Sequence, residues 1–296
     1  MAENGNWGRW GAEDQRGALN LIDGPTVLEA LSRCKTGKVY SLAIPIGHFA
    51  TPQVSDRPNP ERLTLAAPAD SAVYETYGAA EGVGANEDLI IIPSHAGTHM
   101  DALSHVYSEG TVYNGHPAGS FTPKLGAAKC GIERTGSFVG RAVLLDVAAW
   151  AGEEFLEAGR VVSADDLEST RAAQGSEVLP GDIMIVRTGW LEARQKDDGP
   201  PAGLEPGLGL DAVDFIRDHD IAVVGADNAA VESIPFDKNI FLAVHIELLV
   251  KLGVTLVEHL WLAELAADRC YESTLVVGAL PVTGATGSPV NPIAIG

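Results

Sequence analysis

The amino-acid sequence predicts a single α/β domain built on a mixed β-sheet. Three observations favour this class. Hydrophobic residues make up 46% of the 296-residue chain, which is enough for a sizeable core. Several short runs rich in Val, Ile and Leu lack the alternation of half-exposed strands, so they suit strands buried on both faces. Helix-like segments lie between these runs in the second half of the chain, whereas the first half is richer in strand and loop.

The expected elements can be placed along the chain. The strands cover residues 39–46, 88–93, 142–147, 182–188, 221–227, 254–258 and 274–282. Pro25 suits the first turn of a short helix, and Ser163 with Asp166 forms a capping-box pattern. Gly253 suits the end of the strongest amphipathic segment. The predicted helices cover residues 25–35, 163–174, 210–219 and 241–253.

We divide the chain into an N-terminal arm with a short helix, residues 1–37, and one domain, residues 38–296. Residues 1–24 are expected to be ordered, because a free tail would not need large apolar anchors. These anchors are Trp7, Trp10, Leu19, Leu21 and Ile22. The Pro/Gly-rich segments 47–87 and 107–138 are weakly patterned, and long loops of this kind are often binding loops or subunit contacts.

Composition excludes several classes of protein. The net charge of −20 would repel phosphate backbones, so no nucleic-acid partner is expected. No run approaches the ~20 apolar residues of a membrane span, and the N-terminal segment lacks the order of a signal peptide. The 3 cysteines are too sparse for a disulfide framework or a zinc ribbon. We therefore expect a cytoplasmic protein with no membrane partner.

The segment SHAGTHMDALSH, residues 94–105, carries the strongest chemical signal. It brings together His95, His99, Asp101 and His105. Imidazoles and a carboxylate are typical ligands of zinc or manganese. His99 and Asp101 are two residues apart, so an extended strand would point both to one face. A turn at Gly97 would allow His95 to fold back beside them. A histidine-rich surface loop is the alternative, and we favour a metal site.

Two residues of the C-terminal half are candidates for further ligands. His245 lies on the apolar face of the predicted helix over 241–253, where it is either a ligand or a core histidine with one hydrogen bond. Glu258 ends the apolar strand 254–258, where it either binds a metal or reaches solvent. Both functional interpretations gain weight if the first cluster is a metal site.

Other polar residues carry weaker signals. Asp227 follows a buried strand, a common place for functional groups, although an Asx turn with Asn228 is the simpler interpretation. Glu247 points away from the face of His245. The remaining histidines lack ligand-like company and are expected to be incidental; they are His48, His116, His219 and His259. No Gly-x-Ser-x-Gly elbow is present, so a serine hydrolase is disfavoured.

A metal at such a site would activate water and polarise a carbonyl group, and the reaction would need a nearby group to move protons. His105 neighbours the cluster and is either this general acid/base or a further ligand; we favour the former. This combination predicts hydrolysis of an amide, imide or lactone.

The motif HAGTHMDALSH, residues 95–105, resembles the cyclase family of metal-dependent hydrolases, which includes bacterial kynurenine formamidase (arylformamidase) and isatin hydrolase. The segment HIELL at 245–249, the following strand to Glu258, the segment IVRTGW at 185–190 and the tail 284–296 also resemble family segments. The resemblance covers roughly residues 38–296. The chain differs from many formamidases in having Leu103 where they have proline.

The resemblance implies a swivelling β/β/α fold, a homodimer or homotetramer, and one or two Zn²⁺ or Mn²⁺ ions. It implies that His95, His99 and Asp101 hold one metal. Asp101 would bridge to a second metal held by His245 and Glu258, and His105 would act as general acid/base. Among the family's members, some are implied to use a single metal.

The expected function is therefore a metal-dependent hydrolase of a small molecule: a cyclic amide, a lactone or an N-formyl aromatic compound. Metal-bound hydroxide would be the nucleophile. Two alternatives stay open at this point: a metal-dependent lyase or cyclase that stabilises an enolate, and a non-catalytic metal-binding protein. Trp7, Trp10 and Tyr74 are either parts of an aromatic substrate pocket or packing anchors.

Overall fold

A mixed nine-stranded β-sheet organises the described part of the chain in the computed structural model, which covers residues 5–48, 57–196, 200 and 203–296. Its strands, with those of two small two-stranded sheets, are β1 (Val39–Ser41), β2 (Glu61–Ala66), β3 (Glu87–Ile91), β4 (His99–Asp101), β5 (Ser137–Asp146), β6 (Val161–Val162), β7 (Ile183–Arg187), β8 (Gly207–Leu208), β9 (Val223–Ala226), β10 (Thr255–Glu258), β11 (Glu272–Gly278), β12 (Gly287–Pro289) and β13 (Ile293–Ile295).

The α-helices lie mainly in the second half of the chain. They are α1 (Gly24–Ser32), α2 (Ser71–Glu75), α3 (Ile132–Thr135), α4 (Val147–Ala151), α5 (Ala164–Gln174), α6 (Trp190–Arg194), α7 (Ala212–Asp218), α8 (Ala243–His245) and α9 (Ala263–Ala267). Short 3-10 turns cover Gly17–Leu21, Pro68–Asp70, Tyr113–Gly115, Ala118–Ser120 and Asp237–Asn239.

The order of strands in the large sheet is β1-β13-β11-β5-β7-β9-β10-β4-β12. The central strands β5, β7, β9 and β10 are parallel, and the flanking pairs are antiparallel. Successive side chains of a strand point to opposite faces, so apolar runs without alternation fill a core on each side. On β7, Met184 and Val186 join one core, whereas Ile183 and Ile185 join the other. The predicted single α/β domain with a mixed sheet is confirmed.

The predicted helices are present with small changes of boundary. In α5, Ser163 accepts a hydrogen bond from the backbone N–H of Asp166, and the reciprocal bond completes the capping box. The segment expected as one helix over 241–253 begins later, as α8, and continues as a π-helix over Ile246–Leu252. Gly253 ends it in the left-handed conformation, as its position predicted. Segments of π-helix often lie at functional sites, and this one follows His245 directly.

A strand forms where one was predicted over residues 88–93, but the prediction that it is buried on both faces is wrong. It forms β3, which pairs with β2 in a separate hairpin whose side chains are exposed. Leu63 lies opposite Leu89 on one face of the hairpin, and Arg62 pairs with Asp88 on the other. The run of Leu and Ile resembles a central strand, because an apolar sequence alone does not tell whether the strand will be buried on both faces, on one face or on neither.

The N-terminal arm is described over residues 5–37, where it packs on the domain; residues 1–4 lie outside the described residues, as do 49–56 of the long segment 47–87. Leu19 is buried, and Trp7 and Trp10 pack against the core. Cys34, Cys130 and Cys270 are free thiols, as their spacing predicted. Within the described residues, no helix is long and apolar enough to cross a membrane.

Candidate metal centre

The fold brings the candidate ligands to one buried place at the edge of the central sheet. His99 and Asp101 lie on β4 and point to the same face, as their spacing predicted. Glu258 ends β10 and lies directly opposite His99 in the antiparallel register. His245 approaches from the end of α8. All four side chains are at most 3% exposed, so their charges and hydrogen-bonding groups depend on one another rather than on water.

The first group of possible ligands consists of His95, His99 and Asp101. The Nδ1 atom of His95 lies 2.7 Å from Oδ1 of Asp101, and Nε2 of His99 lies 3.6 Å from the same oxygen. Gly97, with φ of +64°, makes the tight turn that folds His95 back beside β4. These atoms lie within 4.8 Å of one another, a spacing from which they could hold one metal ion.

The second group consists of Asp101, His245 and Glu258. The Nε2 atom of His245 lies 3.8 Å from Oδ2 of Asp101 and 3.4 Å from Oε1 of Glu258. Asp101 therefore belongs to both groups, and each of its oxygens faces one of them. The two groups together have the arrangement of a paired site that shares one carboxylate.

The tautomers of two histidines follow from their outer hydrogen bonds. The Nδ1 atom of His99 lies 2.8 Å from the carbonyl oxygen of Gly97, which can only accept, so Nδ1 carries the proton. The Nδ1 atom of His245 lies 2.5 Å from Oε1 of Glu232, a fully buried carboxylate. Each ring thus presents Nε2 to the centre of the site. A carboxylate behind a histidine is the usual outer support of a metal ligand.

Three buried atoms at this place have no hydrogen-bond partner among the described residues: Nε2 of His99, Oδ2 of Asp101 and Oε1 of Glu258. The His99 nitrogen lies 3.0 Å from Oε2 of Glu258 but makes no hydrogen bond with it. Buried polar atoms without a partner are costly, and a cluster of them requires an explanation. Divalent cations at the two groups would satisfy these atoms, because each is a lone-pair donor that belongs to one of the groups.

The charges of the site favour a cation. Burial penalises the charged form of Asp101, but the neighbouring imidazoles of His105, His95 and His99 lower its pKa well below the usual range. Burial also opposes protonation of His245, but Glu232 and Glu258 outweigh it and raise the pKa of this histidine to about 10. The carboxylates also raise the pKa of His99 against the effect of its burial, so they favour positive charge at the rings of both His99 and His245.

His105 stands at the open side of this cluster. Its ring stacks on that of His95 with centroids 3.8 Å apart, and its Nε2 atom lies 3.9 Å from Oδ2 of Asp101. Its side chain is 22% exposed, against 1% for Asp101. Burial lowers the pKa of His105 to about 4, so at neutral pH the imidazole is uncharged.

A cavity of about 500 Å³ opens beside His105. Its walls are largely apolar, with Lys129 and Thr286 among the polar residues. The apolar side chains include Tyr107, Val112, Pro117, Ala118, Phe121 and Ala127. A cavity of this size and lining suits a small organic molecule. Trp7, Trp10 and Tyr74 do not line it, and Trp7 and Trp10 pack against the core, in agreement with their interpretation as packing anchors.

Sequence reasoning missed several residues that support the site. Glu232 lies in a loop after β9 and carries no motif, so nothing in the sequence distinguishes it from a surface glutamate. Thr286 places Oγ1 3.0 Å from Nε2 of His95. Gly287 on β12 pairs with Asp101, and a Cβ there would lie 2.6 Å from Cε1 of His95. The tail 284–296 pointed to this region only through its family resemblance.

The weaker candidates lie outside the two groups. The Asp227 carboxylate accepts hydrogen bonds from the backbone N–H groups of Thr188 and Gly189, so it joins two loops rather than a metal. Burial raises its pKa to about 6. Glu247 pairs with Lys251 on the helix surface. His259 was expected to be incidental, yet it is fully buried with its ring centroid 6.3 Å from that of His99.

Comparison with known protein families gives one match of long extent. The model of the Cyclase family, described as "Putative cyclase", matches residues 40–233. The search of curated proteins gives no match.

Several solved structures share the fold. A crystal structure described as a novel cyclase is 38% identical, with 99% of this chain and 97% of that chain covered and a TM-score of 0.88. Isatin hydrolase A from Labrenzia aggregata, bound to benzyl benzoate, is 18% identical, with 87% and 93% covered and a TM-score of 0.61. A predicted metal-dependent hydrolase from Bacillus stearothermophilus is 20% identical, with 87% and 97% covered and a TM-score of 0.55. At these lower identities the likeness concerns the fold.

Proposed function

The chain belongs to the cyclase family, and from this premise we propose that it is a metal-dependent hydrolase of a small cyclic amide, lactone or N-formyl aromatic compound. The observation that carries the proposal is the position of Asp101, shared by two groups of possible ligands beside a cavity that opens at His105. Solved relatives described as isatin hydrolases and metal-dependent hydrolases support the same class of reaction.

We propose that His95, His99 and Asp101 hold one divalent ion, and that Asp101, His245 and Glu258 hold a second. The three buried atoms without partners support this assignment, because a cation supplies what each of them lacks. Nitrogen and oxygen ligands of this kind suit both Zn²⁺ and Mn²⁺. When bound, the metal would lower the pKa of a water molecule and polarise a carbonyl group.

His105 is the proposed general acid/base. It lies between the ligand cluster and the cavity, and its uncharged imidazole can accept a proton at neutral pH. It would take the proton from the attacking water and return it to the departing nitrogen or oxygen, so that the C–N or C–O bond breaks without a charged leaving group. The stacking of its ring on His95 keeps it at the side of the site.

The apolar walls of the cavity support a compact ring compound as substrate, with its carbonyl group towards His105.

We also expect a homodimer or homotetramer. The row of exposed apolar side chains on one face of the β2–β3 hairpin, including Leu63, Leu65, Leu89 and Ile91, supports a contact between copies of the chain. Sedimentation of the purified protein measures this directly.

Metal analysis of the purified protein beside its His99→Ala variant tests the proposal. We expect one or two equivalents of zinc or manganese, reduced in the variant. His219→Ala is the matched control, since His219 belongs to neither group of candidate ligands and bonds to the Phe215 carbonyl group. A protein that holds no metal and takes up none on reconstitution would overturn the proposal.

The reaction class is tested with the metal-loaded protein and a panel of isatin, phthalimide, phthalide and N-formylaniline. Hydrolysis incorporates oxygen from labelled water into the product, whereas a lyase or cyclase reaction does not. Turnover without incorporation would exclude hydrolysis.

A further inference from the structure

The arm segment, residues 5–20, crosses the end of the helix that carries His245. The last carbonyl groups of a helix have no partners within it. Here the carbonyl oxygens of residues 250–253 all accept hydrogen bonds from the arm. The donors are the indole Nε1 of Trp7 to Val250 at 2.6 Å, the backbone N of Asn6 to Lys251 at 3.0 Å, Nδ2 of Asn6 to Leu252 at 2.9 Å, and the backbone N of Ala18 to Gly253 at 2.8 Å.

The same segment holds a loop on the other side. Asn114 has a left-handed backbone, with φ of +60°, and its side chain reaches into the arm. Its Nδ2 donates to the carbonyl oxygens of Gly11, Ala12 and Asp14 at 3.0, 3.2 and 3.1 Å, and its Oδ1 accepts from the backbone N of Gly8 at 2.8 Å. The Tyr113 hydroxyl donates to the Asp14 carboxylate at 3.1 Å.

Trp7 connects the two sets of contacts. Its indole N–H bonds to the helix end, while its ring packs against Gly115 of the loop. A Cβ at Gly115 would lie 3.3 Å from Cζ3 of that ring, so the loop backbone approaches the indole closely. One side chain therefore contacts both the His245 helix and this loop, beside the direct packing of the Tyr113 ring on Gly253.

The loop continues into the cavity beside His105. Val112 precedes the turn held by the arm, and Pro117, Ala118 and Phe121 follow it; all four line the cavity. The loop consists of short 3-10 turns and isolated bridges. Among the described residues, its backbone-to-backbone hydrogen bonds over 108–126 join only residues of the loop itself, so they fix its shape but not its place against the rest of the protein. That place depends on side-chain contacts, including those with the arm.

We infer that Trp7 is a positioning residue, through which the arm sets the cavity wall relative to the helix that carries His245. The inference rests on the proposed function for the identity of the cavity as the substrate site. Trp7 touches neither the cavity nor the candidate ligands, so its loss would loosen substrate binding and leave the chemistry at His105 in place.

Hydrogen exchange and steady-state kinetics of Trp7→Ala, with isatin as the probe, test this. We expect deuterium uptake over residues 107–121 to rise several-fold while the central strands exchange as before. The KM should rise about tenfold, the kcat should change by less than threefold, and metal content should be unchanged. Trp150→Ala is the matched control, because Trp150 lies on α4, away from both the loop and the cavity.

Two further variants keep the test decisive if Trp7→Ala folds poorly. Trp7→Phe keeps a ring against Gly115 but removes the indole N–H, and an intermediate effect is expected. Asn114→Asp removes the donors to the arm at the opposite contact and should give the same loop-specific exchange. Unchanged exchange over 107–121, or a uniform rise throughout the chain, would overturn the inference. If the unmodified protein does not hydrolyse isatin, that result concerns the proposed function, and the exchange data alone decide the role of Trp7.

Discussion

Replacing Glu232 with glutamine should weaken metal binding without removing any proposed ligand. The Glu232 carboxylate is fully buried and accepts from Nδ1 of His245 at 2.5 Å, and from the backbone N–H groups of Val244 and His245 at 3.2 Å each. An ionised acceptor makes His245 a stronger electron donor through its Nε2 atom and fixes the ring towards Asp101. A glutamine has one accepting oxygen and would turn its NH₂ group towards one of these donors.

The magnitude follows from these contacts. Loss of an outer carboxylate partner costs about 10- to 100-fold in metal affinity, which corresponds to roughly 1.4 to 2.8 kcal/mol. In the variant, one of the buried N–H groups that now bond to Glu232 would face the glutamine NH₂ group, which lowers the free energy of unfolding of the metal-free protein by about 1–3 kcal/mol. We therefore expect the effect on affinity to fall on the group of Asp101, His245 and Glu258, while the group that contains His95 and His99 keeps its affinity.

The assay is a zinc competition titration against a fluorescent chelator, supported by metal content after dialysis. Glu247→Gln is the matched control, since Glu247 lies on the same helical segment but bonds to Lys251 at 2.6 Å on the outer side. Wild-type affinity at every zinc equivalent in Glu232→Gln would refute the reasoning. An equal loss in the Glu247→Gln control would show that the effect is a general property of the helix.

Other expected outcomes follow from single residues. His105→Ala should keep its metal and lose about 10²- to 10⁴-fold in kcat; a metal-loaded variant with full activity would contradict the assigned role. Gly287→Ala should displace the ring of His95 and destabilise the fold by about 1–3 kcal/mol, as measured by urea unfolding, whereas Gly24→Ala, which has open space around its Cβ, should not. Burial raises the pKa of Glu205 from 4.5 to about 7, so stability should fall as pH rises from about 4.5 to 7, by roughly 3 kcal/mol. Glu205→Gln should therefore have a higher Tm than the unmodified protein at pH 8 and no such advantage at pH 4; an equal difference at both values would refute this.

The parts of the fold that could be predicted best are the strands that are buried on both faces. Runs such as 183–186 and 223–226 are apolar at every position because cores lie on both sides of the sheet. The same rule misplaced β3, whose apolar residues lie on an exposed hairpin. An apolar residue predicts that its side chain will be buried, but it does not tell whether the same chain or a second copy buries it.

The candidate site divides in the same way between local and distant information. His99 and Asp101 could be placed together because two residues on one strand share a face whatever surrounds them. Glu258 joined them through the register of β10 against β4, which the sequence does not encode in any short pattern. The position of Glu232 behind His245 depends on the path of the chain between them, a separation of 13 in residue number that no motif describes.

The contacts around the ligands, most of which escaped prediction, make the site specific to this fold. Asp101 and Glu258 are buried carboxylates with unsatisfied oxygens, an arrangement that costs stability in a protein that uses them for nothing. Residues around the ligands hold the histidines in place. Glu232 bonds to His245, the Gly97 carbonyl bonds to His99, and Gly287 leaves room for the ring of His95. A histidine-rich segment alone would arise in many surface loops. The outer contacts distinguish a loop that happens to contain histidines from a place at which the fold holds their nitrogens towards one point.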